Sequence, residues 1–300
     1  MGEQQMGEQQ MRLIHLTDPH LSSLQGLKFS ALRGKRWSGY VSWRKNRQKK
    51  YLPAVLEKLC MAVRAENADQ ILVTGDLVQI GLQSEIEQAT RWLTGLGPAD
   101  RVMLVPGNHD VYAHGSAAEV YESWSEYLFP VGSSGHFPVM RKLGKLNLIG
   151  LSTAVVSPVF MATGKLESDQ LEELARMLEA AAAEQQLTCV LIHHPPLPGM
   201  TNWRKALGNA QALQDVLERF PPALILHGHL HHNREYLWGD CRIYCTAAAS
   251  SVSDASYRVI DIEDDGENWS LRMALKSIAL EDTDGLGFLT VDEQAWSVGK

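Results

Sequence analysis

Three observations predict an α/β domain that layers two β-sheets. From Met11 onward, short apolar runs alternate with amphipathic helical stretches, the pattern of stacked β-α units. Beyond Arg234 the pattern changes to short alternating segments without a helix between them, which reads as a β-meander. The composition, 45% hydrophobic and 21% charged over 300 residues, supplies a large core and excludes a disordered or fibrous chain.

Residues 1–10 repeat themselves as MGEQQMGEQQ and read as an N-terminal extension, unlike the basic start and apolar stretch of a secretory signal. One domain is expected over residues 11–280, because no Pro-, Ser- or Gly-rich linker divides it. Strands are predicted at 12–16, 71–74, 102–105, 146–151, 188–192 and 223–226. Between them Leu52, Val55, Leu56, Leu59, Cys60 and Val63 keep helical spacing, as do Leu171, Leu174, Ala175 and Leu178. Ser84 and Glu87 read as a capping box opening the helix that carries Ile86, Trp92, Leu93 and Leu96. Strands follow at 242–246, 257–262 and 269–274, and residues 281–300, acidic and then polar, read as a loosely packed C-terminal tail.

Apolar runs such as 190–192 and 223–226 are strand-sized, whereas a membrane helix needs about 20 apolar residues. The four cysteines, Cys60, Cys189, Cys241 and Cys245, are few and unevenly spaced, which fits structural thiols in a reducing cytoplasm. Net charge is -7, yet the segment between Asp18 and Glu57 has nine basic residues and no acidic one, leaving -16 for the rest. An acidic protein with one local anion-attracting island is therefore expected, and a nuclease, which wants a broad positive surface, is disfavoured.

Five short clusters each fall directly after a predicted strand: Asp18-Pro19-His20, Gly75-Asp76, Gly107-Asn108-His109-Asp110, His193-His194-Pro195-Pro196 and Gly228-His229-Leu230-His231. Strand ends are where an α/β sheet places its site. Carboxylates, an amide oxygen and imidazoles without a thiolate suit Mn, Fe or Zn. In an extended Asp-x-His or His-x-His the two ligand side chains share a face. Such donors are too many for one ion, whereas two divalent ions about 3.5–4 Å apart, sharing a carboxylate, would use them all.

This ordered set, D-x-H, G-D, G-N-H-D, H-x-P and G-H-x-H, resembles the calcineurin-like metallophosphoesterase superfamily over residues 11–232. The resemblance implies a four-layer αββα sandwich of two mixed β-sheets flanked by helices. It implies that Asp18, His20, Asp76 and His231 hold a first metal, and that Asp76 bridges to a second held by Asn108, His193 and His229. It implies hydrolysis of a phosphate ester or pyrophosphate by in-line attack of a metal-bridging hydroxide. His109 would contact the phosphate or protonate the leaving oxygen, with Asp110 orienting it. Mn is the first expectation for the metals, Fe and Zn the others. A metal-free scaffold of the same fold is the non-enzymatic alternative, and it predicts missing ligands.

Substrate choice is expected to rest on the basic-aromatic insert 28–51. Arg36, Trp37, Tyr40, Trp43 and Arg44, with His194 beside the metals, are the expected substrate contacts. Basic residues interleaved with aromatics suit an interfacial, lipid-facing segment, and they also suit stacking on a nucleobase or a plain solvated loop. The first makes the chain similar to the phosphoesterases that cleave a nucleotide-linked lipid, such as UDP-diacylglucosamine in lipid A biosynthesis, and implies peripheral contact at the cytoplasmic face of an anionic membrane. The H-H-P-P and G-H-x-H wording is instead similar to that of the cyclic-nucleotide phosphodiesterase branch, which implies a cAMP-type phosphodiesterase with the insert a plain loop.

Overall fold

The computed structural model describes residues 9–21, 24, 27–281 and 285–300. In chain order, β1 (Gln9–Leu16) leads to α1 (Lys35–Ser42), a π-helical turn (Trp43–Arg47), α2 (Gln48–Lys50) and α3 (Pro53–Ala65). Then come β2 (Gln70–Val73), α4 (Gln83–Leu96), β3 (Val102–Leu104), α5 (Ser116–Ser123), α6 (Ser125–Leu128), β4 (Val139–Leu143) and β5 (Leu146–Gly150). The second half holds α7 (Ser168–Ala183), β6 (Leu187–Leu191), α8 (Ala210–Arg219), β7 (Leu224–His227), β8 (Arg234–Trp238) and β9 (Cys241–Cys245). Last come β10 (Ser256–Asp264), β11 (Asn268–Glu281) and β12 (Gly285–Gly299).

Two mixed sheets result, ordered β12-β11-β10-β1-β2-β3 and β4-β5-β6-β7-β9-β8. Successive side chains of a strand point to opposite faces. Leu13, Leu72 and Met103 thus meet Leu148, Cys189, Leu191, Leu224 and Tyr244 between the sheets. Their neighbours Ile14, Ile71 and Val73 face outward onto Val55, Leu59, Val63, Ile86 and Leu93 of α3 and α4. On the far side Ile149, Val190 and Ile225 pack on Leu174 and Leu178 of α7 and Leu213 and Leu217 of α8. Burial on both faces explains why the central strands are continuous apolar runs. Each such Leu or Ile contributes about 2 kcal/mol. These four layers are the sandwich that the resemblance implies.

The structure corrects four local expectations. β1 begins at Gln9, so the extension read over 1–10 overlaps a strand, while residues 1–8 lie outside the described ones. Residues 285–299 are not a loose tail: as β12 they pair antiparallel with β11, as a solvent-facing edge strand, while residues 282–284 of that expected tail lie outside the described ones. β4 and β8 join the second sheet's two edges, where no strand was expected. The cap of α4 is Glu85, not the Ser84 and Glu87 pair, and its carboxylate accepts the backbone N–H groups of Gln79, Ile80 and Leu82.

The insert 28–51 is helical for most of its length. Its Leu32 and Trp43 are buried with Ile80, Leu82 and Tyr112 in a small apolar cluster, against which Tyr40 packs. Leu52 N–H bonds to Ser250 O at 2.9 Å and ties down the end of the insert. No helix among the described residues is long and apolar enough to cross a membrane.

Candidate metal centre

The five clusters leave the carboxyl ends of β1, β2, β3, β6 and β7 and converge. Asp18, His20, Asp76, His229 and His231 all have φ between 41° and 70°, the left-handed region that non-glycine residues rarely enter. Such conformations cost about 1–3 kcal/mol each and persist where a site demands them. The paired glycines serve close approach: a Cβ on Gly107 would overlap the Asp76 carboxylate, and one on Gly228 would overlap the Thr17 hydroxyl.

Ligand atoms of Asp18, His20, Asp76 and His231 lie within 4.8 Å of one another, as do those of Asp76, His193 and His229. Asp76 belongs to both groups. Its Oδ1 accepts the His109 backbone N–H at 2.7 Å, while Oδ2 lies 3.4 Å from His193 Nε2 and 4.0 Å from His20 Nε2. Asp18 Oδ1 is 3.0 Å from His231 Nε2, and its Oδ2 accepts the His229 backbone N–H at 2.9 Å. Asn108 Oδ1 stands 3.3 Å from His193 Nε2.

This donor set fits bound cations. His193 Nδ1 donates to Thr74 O at 2.7 Å, which leaves an Nε2 lone pair facing the oxygens of Asp76 and Asn108. His20 Nε2 faces His231 Nε2 at 3.1 Å, and His229 Nε2 is buried without a hydrogen-bond partner. Lone pairs turned on one another in a buried site are satisfied by positive charge between them. The electrostatics agree. Burial opposes charge on the His193 ring, yet Asp76 outweighs it and lifts the ring to about 9, so the same Nε2 draws positive charge, as a proton or as a metal ion. Burial also opposes charge on Asp18 and Asp76, but neighbouring imidazoles hold both carboxyls below the usual range.

His109 lies beside this cluster, its Nδ1 2.5 Å from Gln79 O and 3.2 Å from Arg47 Nη1. Its ring stacks on Tyr112 and meets His20 edge-on. Burial, then Arg47, push its pKa well below the ordinary value, so the ring is neutral with Nδ1–H donated to Gln79 and Nε2 free. Asp110 does not orient His109. Its Oδ2 accepts the N–H groups of Asp76 and Gly107, and its Oδ1 those of Leu77 and Val78. It clamps the loop that carries Asp76. Burial and nearby Asp76 raise its carboxyl to about 7 despite those four donors.

The expected substrate contacts separate. His194 is fully buried, with Nδ1 at Thr153 Oγ1 and Nε2 at Ala162 O, and its ring supports His229 from behind. It is not placed to meet substrate. Arg36 is spent on the carbonyls of Ile80 and Gly81, Trp43 is buried, and Tyr40 packs within the insert. Trp37 and Arg44 stay exposed. The insert residues that do reach the centre are Arg47, at His109, and Tyr51, whose hydroxyl is 2.5 Å from His231 Nδ1. The basic island was legible, but helical phase decides which of its members point inward.

A sandwich of two mixed sheets that brings two groups of candidate metal ligands together around Asp76, beside a histidine, is the arrangement of a metal-dependent phosphoester hydrolase. Residues 11–233 match the calcineurin-like phosphoesterase family, and the chain belongs to it. It is 29% identical over 245 residues to the 3',5'-cyclic adenosine monophosphate phosphodiesterase CpdA of Escherichia coli K12, covering 80% of this chain and 76% of that protein. The Pseudomonas aeruginosa protein of the same name is 28% identical over 229 residues, covering 70% of this chain and 77% of the relative. Among solved structures, a dimetal phosphatase from Danio rerio superposes with a TM-score of 0.64 at 14% identity, covering 95% of this chain and 98% of that one, a likeness of fold.

Proposed function

We propose that the protein hydrolyses a 3',5'-cyclic nucleotide to the nucleoside monophosphate, using two Mn²⁺ ions in the cytoplasm. The observation carrying this reading is the convergence of six donor side chains around one shared carboxylate, Asp76. The choice of substrate draws on the relatives named as cyclic AMP phosphodiesterases and on the insert, whose Leu32 and Trp43 are used in its own cluster. Four free, buried cysteines are in keeping with a reducing compartment.

Asp18, His20, Asp76 and His231 would hold one ion, and Asp76, Asn108, His193 and His229 the other. Bound there, the pair supplies charge neutralisation at the phosphate and an acidified water. Oxygen and imidazole donors suit Mn²⁺, with Fe and Zn²⁺ as substitutes. Water adds to phosphorus, the bond to one ribose oxygen breaks, and that oxygen takes a proton. His109 presents Nε2 toward the reacting group, because Gln79 O holds Nδ1 and Tyr112 fixes the ring plane. As substrate charge raises its affinity, Nε2 takes a proton from solvent and passes it to the departing ribose oxygen, while the attacking water gives its own proton back to solvent.

A second reading, a nucleotide-linked lipid, draws on Phe29 and Trp37, 70% and 54% exposed, beside exposed Arg33. Mn²⁺-loaded protein offered cyclic AMP and a UDP-linked diacyl sugar in mixed micelles separates the two. Cleavage of cyclic AMP supports the proposal, and cleavage of the lipid alone overturns it.

A further inference from the structure

Arg47 sits in an unusual place for a cation. Its Nη1 points at His109 Nδ1, a nitrogen whose hydrogen already goes to Gln79 O, so donor faces donor. Its other protein contact is Gln79 Oε1 at 3.5 Å, also from Nη1, and among the described residues Arg47 has no carboxylate partner. The Nε and Nη2 hydrogens stay free, and that planar pair matches two oxygens of a phosphate. Lys35, on the same helical segment, also faces inward without an ion pair: Nζ bonds Ser157 Oγ at 2.7 Å and lies 4.5 Å over the ring of Tyr112. Tyr112 in turn stacks on His109. One half-buried cation thus touches His109 directly and a second reaches it through Tyr112. Arg47 closes the π-helical turn Trp43–Arg47, a distortion frequent at functional sites.

We infer that Arg47 and Lys35 form an anion-binding arm that grips the outward phosphoryl oxygens of the substrate and of its phosphomonoester product. Arg47 binds them bidentately and Lys35 as a point charge. The arm rests on the cyclic-nucleotide reading for its substrate, though its chemistry requires only a phosphate. Hydrolysis of a cyclic phosphodiester turns a monoanion into a dianion, so the arm holds the product more firmly than the substrate. It stabilises the charge that grows during reaction and makes the enzyme sensitive to inhibition by the nucleoside monophosphate.

Calorimetric titration of the Mn²⁺-loaded protein with inorganic phosphate and with adenosine 5'-monophosphate tests this directly. Arg47→Gln is expected to weaken phosphate binding by about 10- to 100-fold, with Arg47→Lys and Lys35→Gln losing less. Metal content and melting temperature should stay at wild-type values in all three. Inhibition of cyclic AMP turnover by adenosine 5'-monophosphate should weaken in parallel. Phosphate affinity within about twofold of wild type in both Arg47→Gln and Lys35→Gln overturns the arm, as does a wild-type protein that binds no phosphate. Should phosphate binding fall as expected while the wild type leaves cyclic AMP intact, the arm stands and the cyclic-nucleotide reading falls.

Discussion

The hydroxyl of Tyr51 lies 2.5 Å from Nδ1 of His231, so the last residue of the insert fixes the ring of a candidate metal ligand. Tyr51 is 2% exposed, and its ring also packs at 5.0 Å on His20. Partners on the far nitrogen of a ligand histidine set its orientation and are worth about 10- to 100-fold in metal affinity. Tyr51→Phe keeps the packing and removes the bond. It should weaken binding of one of the two Mn²⁺ ions by about tenfold in a metal titration, with the melting temperature little changed.

Asp110 is predicted to be a stability residue. Asp110→Ala leaves the N–H groups of Asp76, Leu77, Val78 and Gly107 without their acceptor in a buried loop. A lost buried acceptor costs about 1–3 kcal/mol per stranded group, so a loss of about 3 kcal/mol or more is expected in chemical denaturation. Metal content should fall with it, because the same loop carries Asp76.

His109→Ala should keep both ions, since no ligand atom is removed. If the ring protonates the leaving oxygen, cyclic AMP turnover should drop by about 10²- to 10⁴-fold. A nitrophenyl diester, whose leaving group needs no proton, should be slowed far less. Equal losses on both substrates would remove His109 from that role.

Glu85 predicts a pH dependence of stability. Burial outweighs its three backbone N–H bonds and lifts its carboxyl from about 4.5 to about 7. Between those values the folded chain keeps a proton that the unfolded chain has lost. Stability is therefore full below about pH 4.5 and declines as pH rises toward 7, by about 3 kcal/mol. Glu85→Gln carries no titrating proton, so its denaturation midpoint should lack this part of the decline while lying lower at acid pH.

Much of this site was legible because chemistry and topology coincide at strand ends. Asp18, His20, Asp76, Asn108, His193, His229 and His231 each follow a strand that sheet burial made apolar and visible. The edge strands β4, β8 and β12 were not legible for the opposite reason. β8 and β12 face solvent, so their sequences lack the apolar run that marks a central strand. Arg47 and Tyr51 were hidden within a uniformly basic-aromatic stretch. Their reach depends on the phase of a helix interrupted by a π turn, which spacing along the chain does not encode. His194 misled because it neighbours His193 in sequence, yet adjacent residues leaving a strand face opposite ways, and its ring points to Thr153.

On the proposed reading, two ions sharing Asp76 drive cleavage of a cyclic phosphodiester. Cyclic AMP turnover measured as Mn²⁺ is titrated into chelator-stripped protein tests it most directly. No turnover is expected without metal, then a rise that saturates at about two ions per chain, with Asp76→Ala inactive at every loading. Turnover that survives chelation, or an active Asp76→Ala chain, would contradict it.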